Sequence, residues 1–237
     1  METPRESIEE KKKRARRIMS ELEATYPGST ISLHYSSPFQ LLVSVILSAQ
    51  CTDASVNKVT PTLFSKYPTP AALSAASTAE VERIVHSTGF FSAKTKSIQG
   101  AARMLVEQFN GIVPQTMDEL TRLPGVGRKT ANVVLWNAFE KNEGIAVDTH
   151  VLRIARRLGL STDGTNPIKT ELQLQRIVLP RSWGQLTHRF IAHGRAICTA
   201  RAPKCQRCPL FEHCPYGPKN VAAQRRGVRP PSRVRQP

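Results

Sequence analysis

Acidic residues are scarce in this sequence. Its 237 residues hold 18 Asp and Glu against 34 Lys and Arg, a formal charge of +16. An excess of that size suggests a polyanionic partner, most often nucleic acid. Long apolar runs are missing too. The longest, Phe39 to Leu47, falls far short of the roughly 20 residues a bilayer-spanning helix needs, so no membrane span is expected. The basic opening, METPRESIEEKKKRARR, has no apolar run behind its charges. A secretory signal is therefore not expected, and a cytoplasmic location is. Strict apolar–polar alternation is also rare, which argues against strands. What remains is a globular balance, 40% hydrophobic and 22% charged. The chain has the length for one large domain or two modest ones.

Cysteine is sparse and unevenly placed. Cys51 stands alone and reads as a buried thiol. The other four, Cys198, Cys205, Cys208 and Cys214, lie within seventeen residues as C-x6-C-x2-C-x5-C. In a reducing cytosol such a group favours a metal centre over disulfides. Zinc commonly takes two close pairs. One close pair with two wider arms also suits a [4Fe–4S] cluster, and the spacing places iron–sulfur slightly ahead of zinc.

The helical period dominates the rest. Glu9 to Ala24 sets Ile18, Met19 and Leu22 among charges, an amphipathic helix that Tyr26-Pro27-Gly28 ends. Phe39 to Gln50 is apolar on nearly all sides and predicts a buried helix. Shorter helices are expected over Thr78 to His86, Lys94 to Phe109 and Met117 to Arg122, with breaks at Pro61, at Pro68 and Pro70, and at Gly89. An all-α fold with short connections follows. After Tyr216 the sequence carries four prolines, six basic residues and no acid, which predicts a disordered basic tail over 217–237.

Two stretches bear chemistry. In LPGVGRKTANVVLWNAF, Leu123 to Phe139, Pro124 ends one helix and Gly125-Val126-Gly127 allows a turn that uncovers consecutive backbone N–H groups. Arg128 then starts a helix with Ala131, Val134, Leu135 and Ala138 on one face. Exposed N–H groups at a helix start form an anion site suited to a DNA phosphate. This is helix-hairpin-helix patterning. A plain αα-turn explains the glycines alone, but Arg128 and Lys129 directly after them, in a chain of +16, favour DNA. In IAVDTHV, an apolar run delivers Asp148 to the start of a helix whose core face is Val151, Ile154, Ala155 and Leu158. Asp is a favoured N-cap. A capping carboxylate is also a fixed anion of the kind a cationic, sugar-centred transition state needs.

Taken together, LPGVGRKTANVV, AVDTHV, LLVSVILSAQCTD and the four-cysteine tail resemble the endonuclease III family of bifunctional DNA glycosylases. The match runs over roughly residues 8 to 216, in order and spacing. The resemblance implies an all-α, two-domain helix-hairpin-helix glycosylase fold. A six-helix barrel is expected over 32–142. The N-terminal helix (1–31) is expected to join 143–216 in a second domain that carries a [4Fe–4S] cluster. The resemblance also implies that Cys198, Cys205, Cys208 and Cys214 are the cluster ligands, which decides against zinc. It implies that Lys129 is the catalytic lysine and Asp148 the catalytic aspartate, acting on double-stranded DNA that holds damaged pyrimidines or abasic sites. A monomer at the bacterial nucleoid is expected. Attack by Lys129 requires a neutral amine, which partial burial and the neighbouring Arg128 favour.

Other positions carry over by resemblance. Gln50 matches the residue that fills the gap left by a flipped base. Phe90 stands where the family more often has a leucine wedge, and it keeps an apolar wedge. Gly125, Gly127 and Arg128 form the phosphate-gripping hairpin. Arg201, Lys204 and Arg207 on the cluster loops are placed to meet phosphates. Asp53 and His150 match polar residues near the site, and each serves equally as a structural hydrogen-bond partner. Two rivals share features with this chain. A monofunctional adenine glycosylase shares cluster and hairpin, but lacks a lysine at the position of Lys129 and carries a further C-terminal domain. A DNA-binding damage sensor with a redox cluster would need neither Lys129 nor Asp148.

Overall fold

A computed structural model describes residues 6–225, and among them there is no strand. The chain forms two units. Residues up to Thr30 and from Gly144 onward make one, and Ile31–Glu143 make the other.

The Ile31–Glu143 unit holds α2 (Pro38–Leu47), α3 (Asp53–Lys66), α4 (Pro70–Ser74), α5 (Thr78–Val85), α6 (Phe91–Phe109), α7 (Met117–Arg122) and α8 (Arg128–Phe139), following α1 (Ile8–Thr25) of the other unit. Eight of the ten residues of α2 are buried. That fits its nearly continuous apolar sequence, and α3, α6 and α8 pack around it. Caps set the helix starts. Ser37, Thr52, Thr69 and Thr116 each accept a backbone N–H three residues on, each worth about 1 kcal/mol. Pro38 and Pro70 sit at first helical positions, where the missing N–H costs nothing.

Three local expectations change here. The helix expected through Gln50 ends at Leu47, and Gln50 lies in a turn at φ 50°. Pro61 does not break its helix, because α3 runs through it. Val56 and Val59 before it and Leu63 and Phe64 after it are all buried. That packing outweighs one lost ladder bond. Cys51 is half-buried rather than buried.

The other unit holds α1, α9 (Thr149–Arg157), α10 (Pro167–Gln175), α11 (Trp183–Ala196) and α12 (Tyr216–Arg225). A capping box starts α1. Ser7 Oγ accepts from Glu10 N at 3.2 Å, and Ser7 N donates to Glu10 Oε2 at 2.8 Å. Ala15, Ile18, Met19 and Leu22 then meet Val151, Ile154, Leu174, Leu186 and Phe190 in one core. Fully burying each such side chain contributes about 1.5–3 kcal/mol. The disordered tail expected from residue 217 is corrected over its first part, since α12 continues to Arg225. Its anchor is polar. Asn220, only 2% exposed, donates from Nδ2 to Cys205 Sγ at 3.3 Å and accepts from the Tyr216 hydroxyl at 3.2 Å. The rest of the expected tail lies outside the described residues.

Candidate active site and metal centre

In the Ile31–Glu143 unit, the Leu123–Gly127 turn joins α7 to α8. Leu123 and Val126 anchor it as buried side chains, and Val126 N donates to Leu123 O at 3.1 Å. The two glycines have different causes. Gly125 lies at φ 78°, and a Cβ there would meet Ser97 Cβ at 2.8 Å, so local packing alone demands glycine. At Gly127 a Cβ would meet nothing within 4 Å. Internal sterics do not require glycine there, and open space remains at the start of α8. Gly127 is also the N-cap of α8 and has no side chain to occupy the first N–H groups. Arg128 and Lys129 form the first turn, and both are exposed. The partial burial expected of Lys129 is therefore not found. Its position on the outer side of a first helical turn leaves it open to water.

Gln50 and Phe90 share an unusual backbone. Gln50 has φ 50° and Phe90 φ 47°, and both are exposed. Phe90 is 68% exposed and directly follows Gly89 at φ 70°. Positive φ at Asn110 and Glu140 is ordinary, since those residues close helices. A bulky residue in that region and in solvent is strained, and such strain persists where surrounding structure holds it. Asp53 opens α3 and is half-buried.

In the other unit, Asp148 caps α9, its Oδ1 accepting from Val151 N at 2.8 Å. His150 Nδ1 lies 3.0 Å from Arg153 Nη2. Burial holds the His150 imidazole below the ordinary histidine value, opposed by the Asp148 charge and reinforced by Arg153. Arg153 Nε in turn donates to the Cys198 carbonyl at 3.2 Å. Gly194 of α11 makes room for this pair. A Cβ there would meet His150 Nδ1 at 2.4 Å and Arg153 Nη2 at 2.8 Å. His150 is thus a hydrogen-bond partner of Arg153.

The four clustered cysteines line one pocket, with Arg157, His193, Phe211 and Tyr216 on its walls. Arg157 Nη1 donates to Cys198 Sγ at 3.3 Å, and His193 Nε2 lies 3.7 Å from Cys208 Sγ. Asn220 serves Cys205, as above. His193 is 1% exposed, and burial lowers it to about 4, with Arg153 adding to the shift. Burial pushes the Cys208 thiol up to about 11, only partly opposed by the Leu210 N–H, and the other three cysteines raise it further. Burial raises Cys205 and Cys214 as well. Four sulfurs in this position cannot share negative charge without a compensating cation, which is the environment a metal group requires. Among the described residues no three His, Cys, Asp or Glu groups converge on a single metal position. A tetrahedral zinc would demand that. A cluster in which each thiolate takes a different iron does not. The residues fit a [4Fe–4S] group held by Cys198, Cys205, Cys208 and Cys214. Sequence reasoning missed Arg157, His193 and Asn220 as their partners. The only signal was spacing, with His193 five residues before the first ligand and Asn220 six after the last.

Comparisons with known proteins agree with this geometry. A family model described as "HhH-GPD superfamily base excision DNA repair protein" matches residues 43–180. A second, "Iron-sulfur binding domain of endonuclease III", matches residues 198–214. The class is thus a helix-hairpin-helix base-excision repair protein with an iron–sulfur motif. Endonuclease III of Synechocystis sp. is 53% identical over 205 residues, 86% of this chain and 93% of that protein. Endonuclease III of Bacillus subtilis is 45% identical over 194 residues, 82% of this chain and 88% of that protein. A solved non-covalent endonuclease III–DNA complex superposes with a TM-score of 0.83 at 43% identity, covering 89% of this chain and 98% of that one. The chain belongs to the endonuclease III family.

An expected result follows for the metal centre. Purified protein should be yellow-brown and hold about four irons per chain. Cys205→Ser should lose solubility or the folded state of its unit before it loses chemistry, because the group fills the cavity its wall residues surround. Metal analysis and circular dichroism check this. A colourless, active preparation with stoichiometric zinc would overturn it.

Proposed function

We propose that the chain is a bifunctional DNA glycosylase and abasic-site lyase that removes oxidised or damaged pyrimidines from duplex DNA, as a monomer. The observation that carries this reading is Lys129 in the first turn of α8, immediately behind the Gly125–Gly127 turn. The uncapped N–H groups there suit a phosphate of the DNA backbone, which positions the strand without reading sequence. The target nucleotide must leave the stack, since its C1′ is out of reach inside a duplex. Asp148 stabilises the positive charge that builds on the deoxyribose as the glycosidic bond breaks. The Lys129 amine attacks C1′ and the base departs, then the C1′–O4′ bond opens, O4′ takes up a proton, and the nitrogen, having given up its surplus proton, is left as a protonated Schiff base. Loss of a 2′ proton then expels the 3′ phosphate by β-elimination. Because Lys129 is exposed, bound DNA must supply the shelter from water that this attack needs.

Gln50 fills the vacated stack, and Phe90 wedges into the opposite strand. Their strained, exposed backbones support both roles. Arg201, Lys204 and Arg207 are all exposed and meet phosphates. The cluster, when bound, would brace the loops that carry Arg201, Lys204 and Arg207, and the positive charge there belongs to those side chains. The reaction itself uses Lys129 and Asp148. No helix among the described residues is long and apolar enough to cross a membrane.

Nicking of abasic-site DNA, with borohydride trapping, tests the reading. Inert protein would refute it. Binding should also weaken steeply with salt. The cut that isolates the tail belongs after Arg225, since α12 supports Cys205 through Asn220. It removes four arginines, Arg226, Arg229, Arg233 and Arg235. If all four meet phosphates, the log–log salt slope should flatten by about 3.6. Single-turnover cleavage at saturating enzyme should change little. Loss of cleavage at saturation would place the tail in the active site.

A further inference from the structure

Lys94 is buried at 5% exposure in α6, a rare setting for an ammonium group. Among the described residues no carboxylate pairs with it. Its Nζ donates to the Thr88 carbonyl at 2.7 Å, and its backbone N donates to the Phe90 carbonyl at 3.0 Å. One residue therefore holds the carbonyls on both sides of Gly89. Between those two grips the chain takes two consecutive positive φ values, 70° at Gly89 and 47° at Phe90. Next in sequence, Phe91 stacks on His86 with ring centroids 4.5 Å apart, while Phe90 is left in solvent. Burial lowers Lys94, and charge on Cys51 opposes that shift.

We propose that Lys94 is a positioning residue for strand invasion: its buried ammonium locks the Thr88–Phe90 turn in the left-handed geometry that projects Phe90. The proposal rests on the glycosylase reading above. An apolar residue at position 94 would fill the same space at lower cost, but it could not hold the Thr88 carbonyl. Without that grip the Gly89–Phe90 pair relaxes toward ordinary backbone, and the wedge no longer stands ready when DNA arrives. Lys94 acts through Phe90 and touches no reacting atom. Its effect should appear only where a base must be forced from a paired stack.

The test compares wild type, Lys94→Met, Phe90→Ala and the double variant on two DNAs. One is a duplex with thymine glycol paired to adenine, with 2-aminopurine beside the lesion. The other is a single-stranded abasic oligonucleotide. Lys94→Met should slow single-turnover excision from the duplex by about ten- to a hundredfold, as a misplaced group does, and should blunt the 2-aminopurine signal. Borohydride trapping on the single strand should stay within about twofold, because nothing there needs unstacking. The double variant should be no slower than Phe90→Ala alone, since the two act as one unit. Lys94→Gln, which keeps a donor, should recover part of the loss. If Lys94→Met does not fold, Lys94→Gln carries the same cycle with Phe90→Ala. Additive losses, or equal losses on both DNAs, would overturn the assignment of Lys94 alone. Wild-type protein inert on both DNAs would instead sink the glycosylase reading, and this one with it.

Discussion

Lys129→Gln should form no covalent adduct with abasic DNA under borohydride and should not nick it, yet should still bind. The side chain is exposed in the first turn of α8. Glutamine is a good helix former there, so the fold should be indifferent to the change. The hairpin is untouched, with Leu123 and Val126 buried beneath it and Gly125 held against Ser97. Affinity for abasic duplex should therefore fall by no more than the loss of one cationic contact, about tenfold at low salt. What disappears is the nucleophile. Losing a covalent nucleophile costs on the order of 10⁴ or more in rate, so strand cleavage should drop to background. Trapping through another amine, with nicking intact, would remove the specific role of Lys129 and make the lyase step incidental.

The sequence showed some parts of this molecule more clearly than others, for physical reasons. The hairpin and α9 were legible because backbone chemistry dictates them. A glycine pair, a following basic turn and an Asp before an amphipathic run each have one inexpensive local solution. The four cysteines were legible as a set because their spacing is short-range. Pro61 misled, because tertiary packing of Val56, Val59, Leu63 and Phe64 overrides a local breaker. The composition of the tail misled too. One buried asparagine, reaching back fifteen residues to Cys205, anchors α12, and nothing in the basic composition of the segment announced it. The exposure of Lys129 and the left-handed backbones of Gln50 and Phe90 had no signature in the sequence, because both depend on how distant segments hold a turn. Lys94 entered the sequence reading only as the start of a helix, and its burial appears only in the fold.

Asp148→Asn should separate the two halves of the chemistry. Asparagine caps a helix about as well as aspartate, and the bond from Val151 N can pass to its side-chain oxygen. The variant should therefore melt within a degree or two of wild type. Asp148→Ala is the structural control. It gives up the cap, about 1 kcal/mol, or roughly 2–4 °C in a protein of this size. Both variants lack the negative charge. If that charge stabilises the sugar cation, excision of a damaged base should fall about 10²–10³-fold in both, in line with loss of one key electrostatic group. Cleavage of a preformed abasic site should suffer far less, since no glycosidic bond remains to break. The ratio of the two rates is the informative quantity, because a merely structural aspartate would lower both together. It would also make Asp148→Ala markedly worse than Asp148→Asn, following the cap rather than the charge. Near-wild-type rates on both substrates in Asp148→Asn, with losses on both in Asp148→Ala, would confine Asp148 to capping α9. The stabilising anion would then have to be sought on another residue.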